Sequence, residues 1–405
     1  PLFRAKELGV MIEKAQIKIA LCDKRLKDEL IKAKADSMLE NILLFGGSEL
    51  EKKMFEKPET FENCQTNSDD TCLISFTSGT TGTPKGTMHY HRDMITICRA
   101  YSVPVLAPKP KDRFIGSPPL AFTFGLGGQL LFPMYARAST ILLEQANPDL
   151  LLDAIKKHQA SIVFTSPTAY RFLLSEVKDC DLSSVRACVS AGETLPKPTW
   201  VAWKEKTGLE ILDGIGSTEL LHIFISSRAD DIRPGATGKP VPGYEAKVVD
   251  EDGNEVAPGK IGKLAVRGPT GCRYLSDERQ KKYVQNGWNL TGDAYQMDED
   301  GYFWFKARTD DMIISSGYNI AGPEVETALI AHQSVLECAV VGVPDVHRGS
   351  LIKAFVVLQP GIFGDEKLKK ELQDFVKNSI APYKYPRSLD FVDSLPKPDT
   401  GKIQR

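Results

Sequence analysis

Through the middle of the chain, apolar runs alternate with amphipathic stretches. Ala138–Glu144, Ser161–Ser166, Val185–Ser190 and Leu209–Ile215 read as buried strands, because their apolar residues are nearly contiguous. Between them, Pro148–His158, Pro167–Val177 and Pro198–Thr207 read as helices, each opened by a proline, whose missing N–H costs nothing in a first turn. Asn147 stands where an N-cap belongs. This order predicts a mostly parallel sheet covered by helices, with ligands at the carboxyl ends of its strands. Upstream, Glu7–Ala15 and Ile17–Cys22 form one more helix–strand unit, and Thr71–Phe76 is a strand expected to lead into a helix over Met88–Ala100. Asn41 to Asp70 is polar and reads as an irregular, mobile surface segment.

The rhythm changes after Thr237. Apolar residues alternate singly up to Gly268, and Asp252-Gly253 and Asp300-Gly301 supply tight turns, so this stretch predicts antiparallel strands. Beyond Arg308 come a strand at Met312–Ser315, a helix over Pro323–His332, strands at Glu337–Val343 and Ile352–Leu358, and a helix over Glu366–Ile380. The expected fold class is therefore α/β. A large N-terminal domain over 1–309 carries parallel βαβ sheets and an antiparallel subdomain. A small α+β domain over 310–405 follows, with the boundary at Asp310 to Asp311.

Bulk properties narrow the function classes. A net charge of −2 offers no basic surface for nucleic acid or an anionic membrane. No apolar run approaches the ~18 residues that would suggest a membrane span. The eight cysteines form no Cys-x-x-Cys pair and read as buried free thiols of a reducing, cytoplasmic compartment. His89-x-His91 is a weak metal hint; two surface histidines without a third ligand are the simpler reading.

The most specific chemistry lies in Thr77-Ser78-Gly79-Thr80-Thr81-Gly82-Thr83-Pro84-Lys85-Gly86. Hydroxyls, flexible backbone and one ammonium in so short a loop suit a polyphosphate. The glycine spacing and Gly86 after Lys85 differ from the common P-loop. A second motif, Asp213-Gly214-Ile215-Gly216-Ser217-Thr218-Glu219, ends an apolar strand. Thr218 offers a hydroxyl to a phosphate, and Glu219 offers an oxygen ligand suited to Mg²⁺. Taken alone, a solvated acid at a strand exit explains Glu219 as well. Three more segments are candidates: Thr291-Gly292-Asp293, the run from Arg308 to Ile320, and Pro396 to Lys402.

Together these motifs resemble the adenylate-forming superfamily of acyl-CoA synthetases, luciferases and peptide-synthetase adenylation domains. The likeness covers almost the whole chain. It implies that Thr77 to Gly82 and Lys85 cradle ATP phosphates, and that Thr218 and Glu219 meet phosphate and magnesium. Asp293 would hold the ribose, Arg308 would be a further donor to ribose or phosphate, and Asp310 would be the hinge of a mobile C-terminal domain. Gly317 would line the pantetheine tunnel of coenzyme A, and Lys402 would be the catalytic lysine. Ile215 stands where an aromatic residue usually covers the adenine. Phe122, Phe124 and Gly125, with Ala191, Gly192 and Glu193, align with segments bordering the acyl pocket. The stretches Ser117–Gly127, Gly214–Ser226 and Tyr302–Glu326 look most like the 2-aminobenzoate- and benzoate-CoA ligase branch.

The implied activity is ATP-dependent ligation of an aromatic acid to coenzyme A through an acyl adenylate, with a homodimer as one compatible assembly. The alternatives are a medium-chain fatty acyl-CoA synthetase and an inactive nucleotide-binding fragment. The last is kept open because members of the superfamily carry a further layer before the segment matching Pro1–Val10.

Overall fold

The computed structural model describes residues 4–34, 37–77, 84–177, 180–311, 313–315, 318–345, 349–380 and 382–396. The first unit packs α1 (Ala5–Ala15) and α2 (Lys27–Lys34) on two parallel strands, β1 (Ile19–Asp23) and β2 (Asn41–Phe45). The stretch expected to be irregular thus contains β2 and a helix, α3 (Glu49–Phe55). Its apolar run Ile42 to Phe45 pairs with β1 at a distance in sequence that no local pattern reveals. A groove of about 880 Å³ opens beside this unit, lined by Leu8, Met11, Leu21, Leu26 and Leu73.

A second correction concerns the Gly-rich loop. β3 (Thr71–Thr77) is followed by β4 (Lys85–Tyr90), which pairs antiparallel with it, and only then by α4 (His91–Ile97). The loop therefore joins two strands of a hairpin, and no helix N-terminus stands directly behind it. Met88–Tyr90, expected to be helical, belongs to β4 because Met88 N–H donates to Arg273 and Leu275 N–H to Gly86, tying the strand on its other edge.

The central sheet forms as the alternation predicts. It gathers β5 (Arg113–Gly116), β6 (Ser139–Ile141), β7 (Ile162–Thr165), β8 (Ala187–Ser190) and β9 (Ile211–Gly216) in parallel. β10 (Ile223–Ser226) and β11 (Lys239–Pro240) add an antiparallel edge, giving the order β11-β10-β9-β8-β7-β5-β6. Successive residues point to opposite faces. Phe114, Phe164, Val189 and Leu212 enter one core, and Ile115, Val163, Cys188 and Ile211 the other. The second core is closed by α7 (Pro148–His158), α8 (Pro167–Glu176) and α9 (Lys197–Thr207). The Asn147 side chain accepts from Leu150 N–H at 2.9 Å, which is the expected cap.

The antiparallel subdomain comprises β12 (Glu245–Val249), β13 (Ile261–Arg267), β14 (Val284–Gln285), β15 (Trp288–Met297) and β16 (Phe303–Arg308). The smaller unit has its own core, whose residues all lie from Ile313 onward. There α11 (Gly322–Ile330) and α12 (Glu366–Ser379) pack on β19 (Val335–Asp345), β20 (Gly349–Leu358) and β21 (Ser388–Phe391), and the short strands β17 (Ile313–Ser315) and β18 (Tyr318–Ile320) join the same core; the short helices of the larger part are α5 (Thr123–Leu126), α6 (Phe132–Ala136) and α10 (Gln280–Tyr283). No helix among the described residues is long and apolar enough to cross a membrane.

Of the cysteines, Cys98, Cys188, Cys272 and Cys338 are buried, whereas Cys64 and Cys72 are exposed, against the expectation that all are core thiols. Both stand where the chain has little on one side, before β3 and at its start.

Candidate active site

β4 organises the site. Its alternation sets Lys85, Thr87 and His89 on one side, and that side lies against the segment leaving β9. Lys85 Nζ stands 3.3 Å from Glu219 Oε1 and donates to the Tyr274 hydroxyl at 3.0 Å. That hydroxyl donates to the same Glu219 oxygen at 2.5 Å. Burial, and then the Glu219 charge, holds the Tyr274 phenol far above its ordinary range. It is thus a fixed donor. Both contacts fall on Oε1, which leaves Oε2 of a carboxylate only 8% exposed for a cation. No group of three or more His, Cys, Asp or Glu suited to a metal occurs among the described residues. One carboxylate oxygen beside a phosphate site is what Mg²⁺ uses when phosphates and water supply its other ligands.

His89 is fully buried, not a surface residue, and its Nε2 lies 2.8 Å from the Thr218 carbonyl. The same carbonyl accepts from Leu221 N–H at 3.2 Å, closing a turn in which Leu221, also fully buried, has φ of +73°. A bulky side chain in the left-handed region is a local strain. Within this turn the Ser217 hydroxyl accepts from Leu220 N–H at 3.2 Å.

A second edge of the site comes from β15 and β16. Their register sets Asp293 opposite Arg308, and Arg308 Nη1 donates to Asp293 Oδ1 at 2.7 Å. The expected ribose acceptor and the expected ribose or phosphate donor are therefore adjacent. Asp213, within β9, has an Oδ1 with no hydrogen-bond partner among the described residues, and burial pushes its carboxyl well above the usual range. Gly214 and Gly216 keep β9 close to β10: a Cβ on Gly216 would lie 2.7 Å from the His222 backbone. Ile215 is half-buried against the core.

The acid-side candidates divide. Phe124 lies 5.5 Å from the Phe164 ring and 5.9 Å from His222, in one apolar cluster with Ala191. Gly125 admits no side chain, since a Cβ there would stand 2.1 Å from the Pro119 carbonyl. Phe122 is half-buried at the start of α5, outside that cluster. Gly192 has φ of +92°, which glycine accepts freely. Glu193, expected beside the acyl pocket, binds the start of α8: its Oε2 accepts from Thr168 N–H at 3.2 Å and from the Thr168 hydroxyl at 2.6 Å, capping the first turn of α8.

Two residues absent from the motifs join the site, Tyr274 and His222. The His222 ring sits among Tyr101, Phe124 and Phe132, with the Phe132 ring edge-on at 4.6 Å. Neither of its nitrogens has a partner among the described residues, and burial lowers its pKa to about 3. Its sequence signal was a histidine inside an apolar run just past Glu219. Thr77 ends β3 with a buried hydroxyl that has no partner among the described residues. Asp310 falls in the short turn Thr309–Asp311. Ser78, Gly79, Thr80, Thr81, Gly82, Gly317 and Lys402 lie outside the described residues.

Residues 1–274 match the family described as AMP-binding enzyme, and residues 324–402 match the AMP-binding enzyme C-terminal domain. The chain belongs to the AMP-binding enzymes. It is similar to the benzoate–CoA ligase of Thauera aromatica, at 41% identity over 377 residues covering 91% of this chain and 71% of that protein. Human mitochondrial acyl-coenzyme A synthetase ACSM4 is 37% identical over 370 residues, covering 87% of this chain and 63% of its own length. Among solved structures, the anthranilate CoA ligase AuaEII in complex with anthranoyl-AMP superposes with a TM-score of 0.95 at 39% identity, over 99% of this chain and 79% of that one. A benzoate CoA ligase from Burkholderia xenovorans LB400 gives a TM-score of 0.89 at 33% identity, over 100% of this chain and 82% of that one. These likenesses make the chain an adenylate-forming enzyme of the acid–CoA ligase type, with the large and small domains of that fold.

Proposed function

We propose that this chain ligates an aromatic carboxylic acid, 2-aminobenzoate or benzoate, to coenzyme A with conversion of ATP to AMP and pyrophosphate. The observation that carries the reading is the continuity of one short segment. Glu219 faces the β4 lysine, the Thr218 carbonyl meets His89 of the same strand, and three residues after Glu219 His222 enters an aromatic wall with Phe124 and Phe164. A polyphosphate site and a flat apolar site are thus adjacent. The similarity to a benzoate– and an anthranilate–CoA ligase supports the same choice.

In this reading Asp293 orients the ribose, and Arg308 beside it donates to ribose or phosphate. The loop from Thr77 to Gly82 and Lys85 hold the β- and γ-phosphates, and Thr218 meets the α-phosphate. Glu219 Oε2 would hold Mg²⁺, which supplies charge neutralisation on the departing pyrophosphate. The acid's carboxylate oxygen attacks the α-phosphorus, the bond to pyrophosphate breaks, and Lys402 neutralises the charge that develops. The smaller domain then turns about Asp310 at the 309–310 boundary and brings the Gly317 segment to the site. The coenzyme A thiolate attacks the acyl carbon and AMP leaves. The protein contributes position and charge, with no covalent intermediate on a side chain. A cytoplasmic location and a homodimer complete the proposal.

The experiment is direct. Purified protein is incubated with ATP, Mg²⁺, coenzyme A and each acid, and the thioester is read by mass spectrometry. The expected product is benzoyl- or 2-aminobenzoyl-CoA with stoichiometric AMP. AMP release without a thioester would place the chain among adenylating enzymes of another kind.

A further inference from the structure

We propose that His89 is a positioning residue for the reaction: it holds the Thr218–Glu219 turn in register with the lysine of the same strand. The proposal rests on the reading of Thr218 and Glu219 as the phosphate and magnesium segment.

A carbonyl only accepts, so the 2.8 Å contact to Thr218 places the His89 proton on Nε2. Nδ1 then carries a lone pair. It faces Asp93 Oδ2 at 3.9 Å, beyond hydrogen-bond reach, with both side chains fully buried. Asp93 in turn is fixed by Arg273 Nη1 at 2.9 Å and by Tyr90 N–H at 2.9 Å. The Arg273 guanidinium lies 4.2 Å over the Tyr90 ring, and its own carbonyl accepts from Met88 N–H at 2.8 Å. The imidazole is therefore walled in by groups that are themselves tied to β4. It has one polar contact to make, and it makes it to the turn.

The turn needs holding. Leu221 sits at φ +73° with no solvent exposure, a conformation kept only where the surroundings over-determine it. Its own bond to the Thr218 carbonyl and the His89 bond converge on one oxygen. β4 thus delivers Lys85 to the Glu219 carboxylate and His89 to the Thr218 carbonyl. The spacing between Thr218, Glu219 and Lys85 is thereby set by a single strand. A histidine that merely filled the core would have no effect on that spacing.

The test compares His89→Leu, which removes the donor, with His89→Gln, which keeps an N–H at similar reach. MgATP affinity is read by calorimetry, alongside KM for ATP, kcat and thermal midpoint. We expect His89→Leu to weaken MgATP binding and raise KM by about tenfold, the upper range for one neutral hydrogen bond, with His89→Gln within about threefold of the parent. Should His89→Leu not fold, His89→Asn, whose shorter amide falls short of the carbonyl, takes its place with the same expectation. A variant that lowers only the thermal midpoint, with affinity and KM unchanged, overturns the proposal. So does equal loss in the Leu and Gln variants. Glu219→Gln is measured in parallel. If it leaves magnesium dependence unchanged, the reading of the segment itself falls, and the proposal with it. If it shifts that dependence while His89→Leu does not, only the positioning role falls.

Discussion

Glu219 shows how a single residue's surroundings decide its chemistry. Lys85 and Tyr274 both bind Oε1, so the carboxylate is oriented as well as charged. Glu219→Gln keeps the shape and loses the anion. Half-saturation by Mg²⁺ in adenylate formation should rise at least about tenfold, since even disturbing an outer partner of a metal ligand costs that much. An unchanged magnesium titration would return Glu219 to a structural acid. His222 makes a pH prediction. Its pKa is about 3 in the folded protein against 6.5 for the ordinary group, so the folded state refuses a proton that the unfolded chain takes up. Its contribution to stability is complete above pH 6.5 and is lost progressively as pH falls towards about 3. His222→Phe should therefore flatten the fall of thermal midpoint across that window relative to the parent; parallel curves would contradict the assignment. The motif residues were legible because they are consecutive in sequence. Tyr274 and His89 were not, since Tyr274 meets Glu219 from 55 positions away and His89 meets Thr218 from 129.

At the scale of elements, the parallel sheet was legible and the hairpin was not. Strands buried on both faces leave contiguous apolar runs, and helices opened by Pro148 and Pro167 punctuate themselves. β4 carries Lys85 and His89 in place of apolar residues because that side meets Glu219, Tyr274 and the Thr218 carbonyl, so its strand signal is weak in the sequence. β2 was lost in a polar neighbourhood and is recovered only through its pairing with β1. The tight turn before α5 gives an element-level prediction. Gly125→Ala would press a methyl to 2.1 Å from the Pro119 carbonyl, so the backbone must move. Destabilisation of about 1–3 kcal/mol is expected in a denaturant titration, with raised KM for the acid because Phe124 moves too. A stability equal to the parent's would show that α5 shifts freely and does not shape the pocket.

At the scale of the molecule, Arg171 on α8 and Glu337 on β19 form an ion pair between the two units, 3.6 Å apart. If Lys402 acts only while the adenylate forms, Lys402→Ala should slow that step by about 10²–10³-fold, the cost of removing a preorganised charge partner, and should leave thioester formation from supplied acyl adenylate nearly intact. Equal loss in both steps would argue against domain rotation. The account as a whole rests on the aromatic wall beside the phosphate site. Its most direct test is the ratio of kcat/KM for acid-dependent pyrophosphate release with benzoate or 2-aminobenzoate to that with octanoate. An acid site walled by His222, Phe124 and Phe164 predicts a ratio of at least about ten in favour of the aromatic acids, whereas a preference for octanoate would contradict it.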